Sequence, residues 1–99
     1  MKIPNSITIG GAVYKVQRVS ELRDPLNDNG RVYGTIDYKT RTISIEKTLD
    51  DNMAEVTLLH ELVHAIAEIW TIKCNELDTD KWANGWHALV MQNPGLFAK

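Results

Sequence analysis

Asp50-Asp51-Asn52-Met53-Ala54-Glu55-Val56-Thr57-Leu58-Leu59-His60-Glu61-Leu62-Val63-His64-Ala65-Ile66-Ala67-Glu68-Ile69-Trp70 is the stretch on which the reading of this chain turns. Its pattern predicts a long helix beginning near Asn52. Asn52 is a good N-cap residue, and Glu55 three positions on completes a box-like arrangement. Asp50 and Asp51 fall where the positive end of the helix dipole favours anions. Val56, Leu59, Leu62, Val63, Ile66, Ala67, Ile69 and Trp70 cover most of the helix circumference. A helix this apolar is expected to be central, packed on more than one side.

Upstream of this helix the hydrophobic period changes from 3.6 to 2. Ile7-Thr8-Ile9 is a short β-type run, Gly10-Gly11 offers a tight turn, and Ala12 to Val19 alternates as a strand does. Arg23 to Gly30 is dense in turn formers and reads as a surface loop. Val32 to Tyr38 and Thr42 to Glu46, separated by Lys39-Thr40-Arg41, are expected to pair as a hairpin. The strand Thr42 to Glu46 is placed at the sheet edge, where a peptide could add by backbone hydrogen bonds. Downstream, Thr71 to Thr79 breaks the first helix. A second helix is expected from about Thr79 to Gln92, stopped by Asn93-Pro94-Gly95. Strands followed by helices predict an α+β domain. Its small, twisted, antiparallel-rich sheet, about residues 7–46, should pack on a central helix with a second, C-terminal helix. The 99 residues fit a single domain spanning positions 1–99.

Composition narrows the function classes. Eleven Lys plus Arg stand against 13 Asp plus Glu, and no basic run marks a nucleic-acid or membrane surface. Cys74 is the single cysteine, so no internal disulfide forms. Met1 to Ser6 holds no apolar stretch of signal-peptide length. Val56 to Trp70 is interrupted by His60, Glu61, His64 and Glu68, against a membrane span. The expectation is a cytoplasmic protein acting on a peptide or protein, with no nucleic-acid or membrane partner. Nothing in the sequence fixes its oligomeric state.

His60-Glu61-Leu62-Val63-His64 is an H-E-x-x-H pattern. The spacing of four sets both imidazoles on one helix face, one turn apart, within reach of one tetrahedral zinc. Glu61 lies about 100° round the helix from His60. From there its carboxylate can reach a water at the metal without being a ligand, which makes it the candidate general base. A third protein ligand is required. Asp80 and Glu76 are both candidates, each followed four residues later by a polar side chain suited to partner a metal-bound histidine, Asn84 in one case and Asp80 in the other. Acidic residues here also favour a helix start on electrostatic grounds alone.

Leu58-Leu59-His60-Glu61-Leu62-Val63-His64-Ala65-Ile66, preceded by a hairpin and followed by Asp80-Lys81-Trp82-Ala83-Asn84, resembles the small gluzincin-type zinc metallopeptidases. The nearest resemblance is to the ImmA/IrrE-like group and its phage and prophage relatives. The likeness runs over about residues 6–95, and only the zinc motif is highly specific. It implies a hydrolase with Zn2+ as cofactor and a third ligand three residues before an Ala-Asn pair. That position is Asp80, an Asp where the group has Glu, so Asp80 is preferred as ligand and Glu76 is the alternative.

His87 shares the face of Asp80 and could donate to an oxyanion. Tyr33 and Tyr38 could do the same, although hairpin tyrosines usually pack. Trp82, Trp86, Trp70 and Met53 are expected in the core, and Cys74 is expected to be a small, inert residue. Two functions compete: a zinc metallopeptidase, and a zinc-stabilised protein-binding module or inactive relative. Glu61 favours the first, since a purely structural zinc site has no use for that carboxylate and is usually completed by a fourth Cys or His.

Overall fold

The upstream alternation produces strands. In the computed structural model, which describes residues 1–96 (Asn27 by its backbone alone), β1 (Ser6–Ile9) and β2 (Ala12–Val19) form an antiparallel hairpin with Ile7 opposite Tyr14. Gly10 and Gly11 close it at φ +55° and +86°, a backbone region that L side chains rarely adopt. The chain then leaves the sheet. β3 (Arg23–Asp24) and β4 (Gly30–Arg31) pair as a separate two-stranded ribbon around a 3-10 turn at Pro25–Asn27. β5 (Gly34–Asp37) returns to the sheet, and β6 (Thr42–Glu46) follows a turn in which Asp37 Oδ1 accepts from the N–H groups of Lys39 and Thr40.

The strand order is β1-β2-β6-β5. β6 pairs antiparallel with β5 and parallel with β2, so the four-stranded sheet is mixed. The expectation that Thr42 to Glu46 forms the edge is therefore corrected. The excursion through β3 and β4 carries the chain clear of β2, β5 comes back one strand-width away, and β6 fills the slot between. The edge strand on that side is β5. Burial follows position: Ile43 and Ile45 are fully buried, and Ser44 and Glu46 on the opposite face are nearly so.

α1 (Asp51–Ile69) lies on the sheet. Its N-cap is Asp50, whose carboxylate accepts from Met53 N–H, rather than Asn52. Asp50 is the better-placed cap because β6 ends at Glu46 and a four-residue link suffices. Ala54, Leu58 and Ala65 face the sheet and pack with Ile9, Tyr14, Val16, Ile43 and Ile45 into one core. α2 (Glu76–Gln92) begins one turn earlier than the pattern predicted, capped by Asn75, which accepts from Asp78 N–H. Its buried residues Thr79, Ala83 and His87 recur every four positions and form the seam with α1. Thr79 and Ala83 are small, which lets the helices approach closely. The result is an α+β fold with two helices, and no helix among the described residues is long and apolar enough to cross a membrane.

The tryptophans depart from expectation. Trp70 and Trp82 are each 59% exposed, and Trp86 and Met53 are also exposed rather than in the core. The sheet and α2 cover only part of α1, so Ile66, Ile69 and the tryptophans remain at the surface.

Glu46 locks the junction of sheet, excursion and helix. Its Oε1 accepts from Leu22 N–H at 2.9 Å, and its Oε2 accepts from the N–H and hydroxyl of Thr48, each at 3.0 Å. The backbone donors of Thr48 and Leu22 lower its pKa to about 2, against the opposing effect of desolvation, with Thr48 Oγ1 and Arg31 assisting. A pKa depressed by folding means that the stabilisation is complete above the unfolded value of about 4.3 and is lost as pH falls toward 2. The stability gap between wild type and Glu46→Gln, measured by urea unfolding, should be constant above about pH 5 and shrink between about pH 4.5 and 2. A gap independent of pH would show that the Glu46 charge is not what these donors hold.

Candidate metal and catalytic site

The one-turn spacing of His60 and His64 brings their rings edge to face, centroids 4.7 Å apart at an interplanar angle of 71°. Their Nε2 atoms are 3.0 Å apart. The Glu76 carboxylate straddles this pair, with Oε2 3.1 Å from His60 Nε2 and Oε1 2.7 Å from His64 Nε2. Asp80 sits on the other side of the His60 ring, its Oδ1 2.7 Å from Nδ1. A proton on His60 Nδ1 would be donated to Asp80, and that tautomer leaves the Nε2 lone pair facing His64 and Glu76 for a metal ion.

Asp80, the expected third ligand, has its oxygen on the outer nitrogen of His60, whereas Glu76, the alternative, meets both inner nitrogens. The helix start explains the difference. Capped by Asn75, α2 makes Glu76 its first residue, and a longer side chain one turn earlier reaches across to α1. The Asn75 cap with acidic Glu76 and Asp78 behind it was the available sequence signal. Asn84 lies near Asp80 and donates its side-chain N–H to the Asp80 carbonyl. His87 is elsewhere: buried in the helix seam, its Nε2 2.8 Å from Glu55 Oε1. The sequence suits Glu55 to a capping box and carries no local sign of its pairing with His87 on the other helix. Cys74 packs its sulfur 3.3 Å from Thr79 Oγ1.

Glu61 is 6% exposed, and its Oε2 is buried without a hydrogen-bond partner. An unpaired buried carboxylate oxygen is costly and marks a place where a group is wanted. Burial pushes the Glu61 carboxyl up to about 7; His60 opposes the shift, while Glu76 and Asp24 add to it. One donor atom each from His60, Glu61 and His64 lies within a span of 4.8 Å, a group able to hold a metal ion. Three ligands at about 2.0–2.1 Å from a tetrahedral ion stand about 3.3 Å apart. The two imidazole Nε2 atoms stand 3.0 Å apart, and each has one Glu76 oxygen at 3.1 or 2.7 Å, separations close to that size. The donor set and the orphaned oxygen beside it fit a divalent cation.

Two clefts flank this cluster and share Gly34, His60 and Glu61. One, of about 450 Å3, includes Tyr33, Met53, Asp80 and Asn84. The other, of about 570 Å3, includes Asp24, Tyr38, His64 and Glu76. Burial, then the charges of Glu68, Glu61 and Tyr14, raise the Tyr38 hydroxyl to about 12, so it remains a proton donor. No family model, curated protein or solved structure matches the chain.

Gly34 is the point at which the edge strand β5 meets α1. A Cβ there would stand 2.6 Å from Thr57 Cγ2 and 3.4 Å from Glu61 Cγ. Gly34→Ala should therefore push the strand from the helix and cost about 1–3 kcal/mol in urea unfolding, the range for overpacking. Thr57→Ser removes the offending methyl and should recover part of that loss in the double variant. Strict additivity of the two substitutions would refute the contact as the cause.

Proposed function

We propose that the chain is a zinc-dependent metallopeptidase of the ImmA/IrrE-like type, with His60, His64 and Glu76 as metal ligands and Glu61 as general base. The observation that carries this reading is the convergence of two imidazole Nε2 atoms on one carboxylate, 2.7–3.1 Å away, beside a buried and unpartnered glutamate oxygen. Two imidazoles and a carboxylate are a catalytic zinc set that leaves a fourth position open. When bound, zinc acts as a Lewis acid that polarises the scissile carbonyl and lowers the pKa of a water to about 7.

The chain's own residues supply the rest. Glu61 takes the proton of the attacking water and delivers it to the departing amine. Its burial keeps the carboxylate from competing solvent, so the proton is exchanged with the reacting atoms. Asp80 holds the His60 tautomer and ring orientation, in the manner of a carboxylate behind a metal-bound histidine. Tyr38, kept neutral, is the hydroxyl donor available for charge that develops on the carbonyl oxygen. Gly34 leaves the backbone of β5 open beside Glu61.

The purified chain should bind one zinc ion. Glu61→Gln should keep the zinc and lose hydrolysis of casein or of a peptide library by about 10²–10⁴. His64→Ala should lose both zinc and thermal stability, since metal binding is coupled to folding. Equal turnover at equal zinc content would discard Glu61 as the base. Zinc bound without turnover by either protein would instead support the metal-stabilised binding module.

The two acidic residues give separable results. Glu76→Ala should abolish stoichiometric zinc binding, whereas Asp80→Ala should weaken affinity by about 10–100-fold, the usual effect of removing a partner of a metal-bound histidine. Zinc affinities from competition with a chelator decide this. The reverse order would exchange the two assignments.

A further inference from the structure

The cleft on the His64 side carries a feature that the hydrolytic chemistry does not use. Asp24, at the end of β3, lines this cleft together with His60, Glu61, His64 and Glu76. Its Oδ1 accepts one hydrogen bond, from Leu26 N–H at 3.0 Å, and among the described residues no cation pairs with it. The basic residues nearest in sequence are engaged elsewhere. Arg23 Nη1 donates to the Asn29 carbonyl, and Arg31 Nη2 lies 3.7 Å from Glu46 Oε1. Neither cleft has a Lys or Arg in its lining, although the chain holds 11 such residues.

Beside Asp24 the cleft wall is apolar. Leu26, at the tip of the 3-10 turn, is 96% exposed, and Val32 and Ile36 continue the wall. An exposed leucine is unremarkable by itself. Its position next to an unpaired carboxylate and above the candidate catalytic group is what gives it meaning. An apolar wall ending in a carboxylate is complementary to one side-chain type: a long aliphatic stem with a cationic head. Acidic side chains would meet repulsion from Asp24 and Glu76, which line this cleft and of whose charge a divalent ion neutralises only part.

We infer that Asp24 is a specificity-determining residue that selects peptides bearing a Lys or Arg on the His64 side of the cleavage point, the stem lying on Leu26 and Val32 and the charged head on the Asp24 carboxylate. This rests on the peptidase reading for its consequence, but the recognition itself is a binding event that is measured without turnover. Asp24 also caps the 3-10 turn, so Asn, which retains the Oδ1 acceptor, is the informative replacement.

The test uses zinc-loaded Glu61→Gln protein and two sets of fluorescent octapeptides. In one set a Lys is moved through each position of an alanine background, and in the other a Glu. At one position or two adjacent ones, Lys should bind about tenfold more tightly than Glu, a difference of about 1.4 kcal/mol. The ratio should fall toward one in the Asp24→Asn, Glu61→Gln double variant and decline with added salt. Zinc content of both proteins is measured as the control for folding. No Lys preference at any position, a preference that survives Asp24→Asn, or no binding by any peptide overturns the inference. Incubating the same peptides with zinc-loaded wild type and reading products by mass spectrometry tests the chemistry separately. Peptides bound with the Lys preference but never cut would leave Asp24 recognition standing and remove the peptidase reading. Peptides cut without a charge preference would do the opposite.

Discussion

Glu76 reaches both imidazoles because α2, capped by Asn75, begins at Glu76 and packs on α1 at close range. That seam is the constraint on which the site depends. Thr79 and Ala83 are fully buried in it, and both are small enough to let the backbones approach. Thr79 also donates its hydroxyl to the Asn75 carbonyl at 2.8 Å, which ties the helix start to its second turn. One turn further along, the Glu55–His87 pair bridges the same two helices. Replacing either seam residue by a larger one would move Glu76 and Asp80 together. The two carboxylates sit four residues apart on one face, and they meet opposite edges of a single imidazole, His60.

The sheet supplies the second boundary. β6 is buried and paired on both sides, so it anchors α1 through Ile43 and Ile45, while β5 remains an edge. Gly34 lets that edge come within contact distance of Thr57 and Glu61. Glu61 consequently sits between a strand and its own helix, excluded from water, with one oxygen lacking a partner. A buried polar group in this condition is unfavourable for folding and is tolerated where a bound group completes it.

Much of this was legible in the sequence. Period-2 runs marked β1, β2, β5 and β6, the Gly10-Gly11 turn marked the first hairpin, and the His60–His64 spacing fixed the pair of imidazoles. Less legible was anything that depended on elements distant in the chain. The parallel pairing of β6 with β2 needs the excursion through β3 and β4 to be placed in space, and no local pattern shows that. Trp82 and Trp86 have helical spacing suited to a core, yet α2 packs on α1 through Thr79, Ala83 and His87 and leaves both tryptophans exposed. Likeness to a motif points to Asp80, whereas the reach of Glu76 to both histidines depends on the Asn75 cap, which starts α2 one turn earlier than the pattern predicts. Asp24 belongs to the turn-rich segment of the sequence but ends strand β3, and its place in the cleft with Glu61 follows only from the fold.

The central claim is that two imidazoles and the Glu76 carboxylate form one cation site with Glu61 beside it. Anomalous diffraction at the zinc edge, from crystals grown with zinc, tests it most directly. The account predicts a single strong peak about 2.0–2.1 Å from His60 Nε2, His64 Nε2 and one Glu76 oxygen, with Asp80 remaining on His60 Nδ1. No peak between the two histidines, or a peak ligated by Asp80 with Glu76 turned away, would contradict it.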